Sequence, residues 1–93
     1  MQVKQYPYKV KEIIGNFSVA DTAISEAVNG RGILIQNTGT ENLYFNTSTT
    51  ATAANGYLVP PNSIFPIIIT CDGNISLIST STGTTAQLLF VDV

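Results

Sequence analysis

Closely spaced turn signals constrain this chain more than any other feature. Asn29-Gly30, Asn37-Thr38-Gly39-Thr40, Asn55-Gly56, Pro60-Pro61-Asn62-Ser63, Asp72-Gly73 and Ser81-Thr82-Gly83-Thr84 divide the sequence after residue 28 into short segments. Gly, Asn and Asp tolerate positive φ and Pro fixes φ near −65°, so these positions bend the chain for physical reasons. Apolar runs lie between them at residues 32–36, 43–46, 64–69, 75–80 and 86–91. A helix shorter than about 12–15 residues is marginal without packing, and none of these runs reaches that length. Val, Ile and Thr fill 30 of the 93 positions, and these residues suit a pleated surface. The reading is an all-β chain of six to eight short strands: a small antiparallel β-sandwich or jelly-roll-like domain with an extended N-terminal arm.

Several local expectations follow. Residues 20–28 are ambiguous, because Ile24 and Val28 are spaced as on one helix face. Residues 32–46, strand then Asn37-Thr38-Gly39 then strand, read as a hairpin. Asp72-Gly73 reads as a second hairpin turn, joining the run at 64–69 to that at 75–80. Pro66 cannot donate to a ladder, which places its strand at an edge or at a bulge. Leu34 between Ile33 and Ile35, and Leu89 between Leu88 and Phe90, make these strands apolar on both faces. One face can be covered by a second sheet; the other must meet a neighbour. A domain of this size buries only about 60–65% of its unfolded surface. With no metal or disulfide to staple it, self-association is expected.

Composition removes whole classes of function. There is no His and one Cys, so imidazole catalysis, Cys/His zinc sites and internal disulfides are excluded. Cys71 follows an apolar run and reads as a small buried thiol. The carboxylates Asp21, Glu26, Glu41, Asp72 and Asp92 are scattered, and no Gly-rich phosphate loop occurs. No catalytic, cofactor-binding or metal-binding residue is expected, and the chain reads as a non-enzyme. A net charge of −2 argues against nucleic acid as partner. The N-terminus has no apolar signal-peptide core, and no apolar run reaches the 18 or so residues of a membrane span.

Charge is unevenly spread. Residues 1–12 carry Lys4, Lys9 and Lys11 against Glu12, a balance of +2, while residues 13–93 balance at −4. The division expected is an extended basic arm over 1–12 and a single sandwich over 13–93. Val3, Lys4, Tyr6, Pro7, Tyr8, Lys9, Val10 and Lys11 are the candidate partner-binding residues. They either dock on a neighbouring acidic protein surface, with Tyr6, Tyr8 and Val10 as anchors, or form the first strand of the domain's own sheet. Residues 47–56, small and polar without periodicity, read as a surface loop or a binding loop.

The strings Ile33-Leu34-Ile35-Gln36-Asn37-Thr38-Gly39, Leu58-Val59-Pro60-Pro61-Asn62-Ser63, Ile75-Ser76-Leu77-Ile78-Ser79 and Gly83-Thr84-Thr85-Ala86-Gln87-Leu88 form an ordered pattern over residues 32–92. It resembles small virion structural proteins of tailed bacteriophages, of the capsid decoration (cement) type. Asn62 stands where that pattern carries Gly near its Pro turn, and Asn tolerates the same positive φ. The resemblance implies a protein made in the host cytoplasm and carried on the capsid exterior. There it would bind the major capsid protein of a phage shell, as a homotrimer, and stabilise that shell. The alternative is a carbohydrate- or receptor-binding module of a head fibre or tail, with Tyr44, Tyr57 and loop 47–56 as the binding surface.

Overall fold

The computed structural model describes residues 9–68 and 73–92. Among them are eight strands and no helix: β1 (Lys9–Val19), β2 (Ile24–Ala27), β3 (Gly32–Asn37), β4 (Leu43–Asn46), β5 (Tyr57–Val59), β6 (Ile64–Ile68), β7 (Asn74–Ile78) and β8 (Thr84–Asp92). They form two four-stranded antiparallel sheets, ordered β1-β8-β3-β6 and β2-β7-β4-β5. We call these sheet A and sheet B.

The pairings explain the winding. β1 pairs with β8, β2 with β7, β3 with β6 and β4 with β5. These are the rungs of one long antiparallel ribbon whose closed end is the β4–β5 hairpin. The ribbon is rolled, so that β3 also meets β8 and β4 also meets β7. Rolling is driven by side-chain alternation. Ile33 and Ile35 of β3, Leu43 and Phe45 of β4, Ile75 and Leu77 of β7, and Ala86, Leu88 and Phe90 of β8 all turn inward. Val19 and Val59 complete this core between the sheets, and Ile14, Phe17, Ile24, Val28 and Phe65 pack around its margin.

Two of the hairpin expectations are corrected. β3 and β4 lie in different sheets, as do β6 and β7. Asn37-Thr38-Gly39 is therefore an arch that carries the chain across the sandwich. The Asn37 side chain turns into the interior and is fully buried. Its Nδ2 donates to the carbonyls of Glu41 (2.7 Å) and Val59 (2.8 Å), and its Oδ1 accepts from Gly39 N–H (3.1 Å) and Thr84 Oγ1 (2.7 Å). Every polar atom of the amide is engaged. A Cβ on Gly39 would collide with Thr84 Oγ1 and the backbone at Thr85, so this corner needs Gly. The one sequence-adjacent pair within a sheet is β4–β5, joined by loop 47–56 rather than by a tight turn.

Residues 20–28 settle as strand: β2 runs from Ile24 to Ala27, paired with β7, because tertiary pairing outweighs the helical spacing of Ile24 and Val28. Pro66 sits on β6, the edge strand of sheet A, opposite Leu34. Asn62 adopts φ 59°, the left-handed conformation expected of it. Cys71 and Asp72 lie outside the described residues.

Candidate interaction surface

Alternation that sends Ile33, Ile35, Leu88 and Phe90 inward sends their neighbours outward. The register aligns those neighbours. Ile13 faces Leu89, Leu89 faces Leu34, and Leu34 faces Pro66, one apolar row crossing all four strands of sheet A. The next row is Gln87, Gln36 and Ile64; on the other side, Val10 faces Val91. Ile13 is 59% exposed, Val10 56% and Ile64 55%. Leu34, Gln36, Ile64, Gln87 and Leu89 line a shallow depression there. The outer face of sheet A is thus apolar and amide-bearing. At its margin Lys11 Nζ of β1 lies 3.5 Å from Asp92 Oδ2 of β8, across the strand pair.

The sheet edges are blunted. β1 carries register shifts between Val10 and Glu12 and between Ile14 and Phe17. β6 carries Pro66, while β2 and β5 are four and three residues long. Bulges, proline and short length all discourage strand addition. Contact with another molecule is therefore favoured through a face.

The candidate arm residues divide. Val3, Lys4, Tyr6, Pro7 and Tyr8 lie outside the described residues. Lys9, Val10 and Lys11 belong to β1; Lys9 faces Asp92, Val10 faces Val91, and Lys11 is the extra residue of the first register shift. These three lie in a strand of the domain's own sheet, and Val10 joins the outer face of sheet A. Glu12, at the end of the expected arm, is also within β1 and accepts from Asn29 Nδ2 at 3.2 Å.

Loop 47–56 is a built structure. Asn46 Oδ1 accepts from Ser48 N–H, Ser48 Oγ and Thr49 N–H, and Asn55 bonds Thr52 and Thr50. Ala51 N–H donates to Ser76 Oγ at 2.9 Å, pinning the loop to the outer face of sheet B, and Ala51 is buried. The two tyrosines expected to share a site are separated by the pleat. Tyr44 lies in an outward row with Leu58 and Ile78, whereas Tyr57 pairs with Phe45 on the opposite side of β4–β5. Tyr57 sits at the sheet margin, against Phe65 (ring centroids 4.9 Å apart) and Phe45 (5.7 Å).

The described carboxylates do not converge. Glu41 accepts from Thr80 Oγ1 at 2.9 Å, Asp92 meets Lys11, and Asp21 is exposed in the link before β2. Among the described residues no group of three or more His, Cys, Asp or Glu is placed to hold a metal, and no helix is long and apolar enough to cross a membrane. The doubly apolar strands, and the face each side chain takes within its own strand, are legible in the sequence; which residues of different strands share a face is not, and Asn37 reads there as turn chemistry alone. The signal for the face was present: Leu34 and Leu89 each break a polar-out alternation at mid-strand. Compared with protein-family models, curated proteins and solved structures, the chain matches none.

Proposed function

We propose that this chain is a non-enzymatic capsid decoration protein, docking on the major capsid protein of a phage shell through the outer face of sheet A. The observation that carries the reading is the apolar row Ile13–Leu89–Leu34–Pro66, flanked by Val10 and Ile64. The pattern over residues 32–92 supports a virion setting. The rolled ribbon supports a jelly-roll reading, a winding used in viral shells and in lectins alike.

Magnitudes decide how such a face would work. Strand spacing near 4.8 Å and a rise near 3.3 Å give the face roughly 300 Å². At about 25 cal/mol per Å² that is roughly 8 kcal/mol of gross burial, within the 4–15 kcal/mol that association costs. A stable interface buries about 800 Å² per partner, so one face of one copy binds weakly. Stable occupancy then comes from several copies held together, which is the role of the homotrimer in this reading.

The test is co-sedimentation of purified protein with shells of the source phage. Leu34→Asp places a charge at the centre of the row while leaving the inner core intact. Its thermal melt should stay close to wild type and its shell occupancy should vanish. Decoration by Leu34→Asp at wild-type occupancy would remove this face from the mechanism. Light scattering reads the oligomer separately: a homotrimer of the 9.9 kDa chain has a mass of about 30 kDa.

A further inference from the structure

We propose a second site, independent of shell docking, that binds a neutral sugar ring at Tyr57 beside loop 47–56. Phe45, Asn46, Thr47, Asn55, Gly56 and Tyr57 surround a depression of about 240 Å³ at the end of the β4–β5 hairpin. Pockets for drug-sized ligands run from about 300 to 1,000 Å³, so this one fits a single ring rather than a long chain.

Three observations point to a pyranose. Tyr57 is 60% exposed, yet its ring is fixed by contacts with Phe65 (4.9 Å) and Phe45 (5.7 Å). A held, exposed aromatic ring is a stacking platform that loses little entropy on binding. The C–H groups on one face of a pyranose match such a platform. Around it stand amide and hydroxyl groups suited to the sugar's peripheral hydroxyls. Asn46 Nδ2 and Asn55 Nδ2 each donate once within the loop, to the carbonyls of Asn55 and Thr50, and each has a second N–H. Finally, no charged side chain among the described residues lines the depression. Anionic and cationic ligands would find no counter-ion there, whereas a neutral sugar needs none.

The loop is suited to this work because it is pre-organised. Thr52 N–H donates to Asn55 Oδ1 at 2.7 Å, Asn55 N–H to Thr52 Oγ1 at 3.1 Å and Gly56 N–H to the Thr52 carbonyl at 2.7 Å. The rim is built before a ligand arrives, so binding spends little on ordering it.

The experiment is an NMR titration of ¹⁵N-labelled full chain with maltotriose, cellotriose, mannotriose and chitotriose. At least one should give saturable shifts centred on the amides of residues 45–47 and 55–57, with Kd on the order of 1 mM for a one-ring contact. Tyr57→Phe keeps the ring and should bind within about threefold of wild type, whereas Tyr57→Ala should weaken binding by about tenfold or more. If Tyr57→Ala does not fold, Thr47→Lys, on the exposed rim, supplies the same loss. No shift with any of the four sugars, shifts centred elsewhere, or wild-type affinity in the folded ring-deleted or rim variant would each overturn the assignment. Leu34→Asp should bind sugar normally, which separates failure of this site from failure of the docking face.

Discussion

Removing the Asn37 amide should be the most damaging small substitution in the arch between the sheets. The side chain is fully buried and its four bonds join β3, the 38–42 link, the end of β5 and the start of β8. Asn37→Ala strips partners from the Val59 carbonyl and Thr84 Oγ1, both in buried bonds, and from the Glu41 carbonyl and Gly39 N–H, both part-buried. An orphaned buried group costs about 1–3 kcal/mol, and water can reach the other two, so the loss sums to about 4 kcal/mol. A domain of this length has roughly 5–14 kcal/mol in total. The variant should therefore remain folded in water but melt about 16–32 °C lower. Urea unfolding followed by far-UV circular dichroism reads the change directly. The m-value should be unchanged and the midpoint should fall by roughly 1.3–4 M.

Asn37→Asp sharpens the test, since it keeps the shape and both acceptor roles but sets a carboxylate against two carbonyl oxygens. Lacking donors, the charged form is disfavoured, so the introduced carboxyl titrates above its unfolded value of about 3.9. A raised folded value means that the variant is closest to wild type below the unfolded value of about 3.9 and loses stability as pH rises from there through the folded value. If Asn37→Ala costs under about 1 kcal/mol, or the Asp variant shows no such pH trend, the amide is not what holds the arch.

Two further predictions rest on single positions. Asn62 at φ 59° should tolerate Gly within about 0.5 kcal/mol, whereas Asn62→Ala should cost about 1 kcal/mol in the same urea assay, because Ala pays the left-handed steric cost. Lys11→Ala should change stability by less than about 0.5 kcal/mol, since Lys11 and Asp92 are 41% and 43% exposed at 3.5 Å; a larger loss would mean that the pair anchors β1.

The fold class and its punctuation were legible in the chain itself. Pro66 lacks a donor, which limited its strand to an edge or a bulge, and β6 is an edge strand. Asn beside the Pro turn tolerates a positive φ, and Asn62 adopts one. The alternation at 33–36 and 86–91 marked one buried face per strand and left a second apolar one. All of these follow from properties of one residue or its nearest neighbours.

Partnership was decided only by the tertiary structure. A turn signal states that the chain bends, not whether the next strand pairs with the last or crosses to a second sheet. Asn37-Thr38-Gly39 became an arch because β3 gains two neighbours, β6 and β8, in place of β4. The same register, set across residues up to 76 apart in sequence, lines Ile13, Leu89, Leu34 and Pro66 into one row. It also parts Tyr44 from Tyr57, since adjacent pairs on a pleated hairpin point to opposite faces. A sequence encodes each side chain's parity along its own strand; which parities coincide in space is fixed only when the ribbon rolls to bury Phe90, Ile33 and Leu88 together.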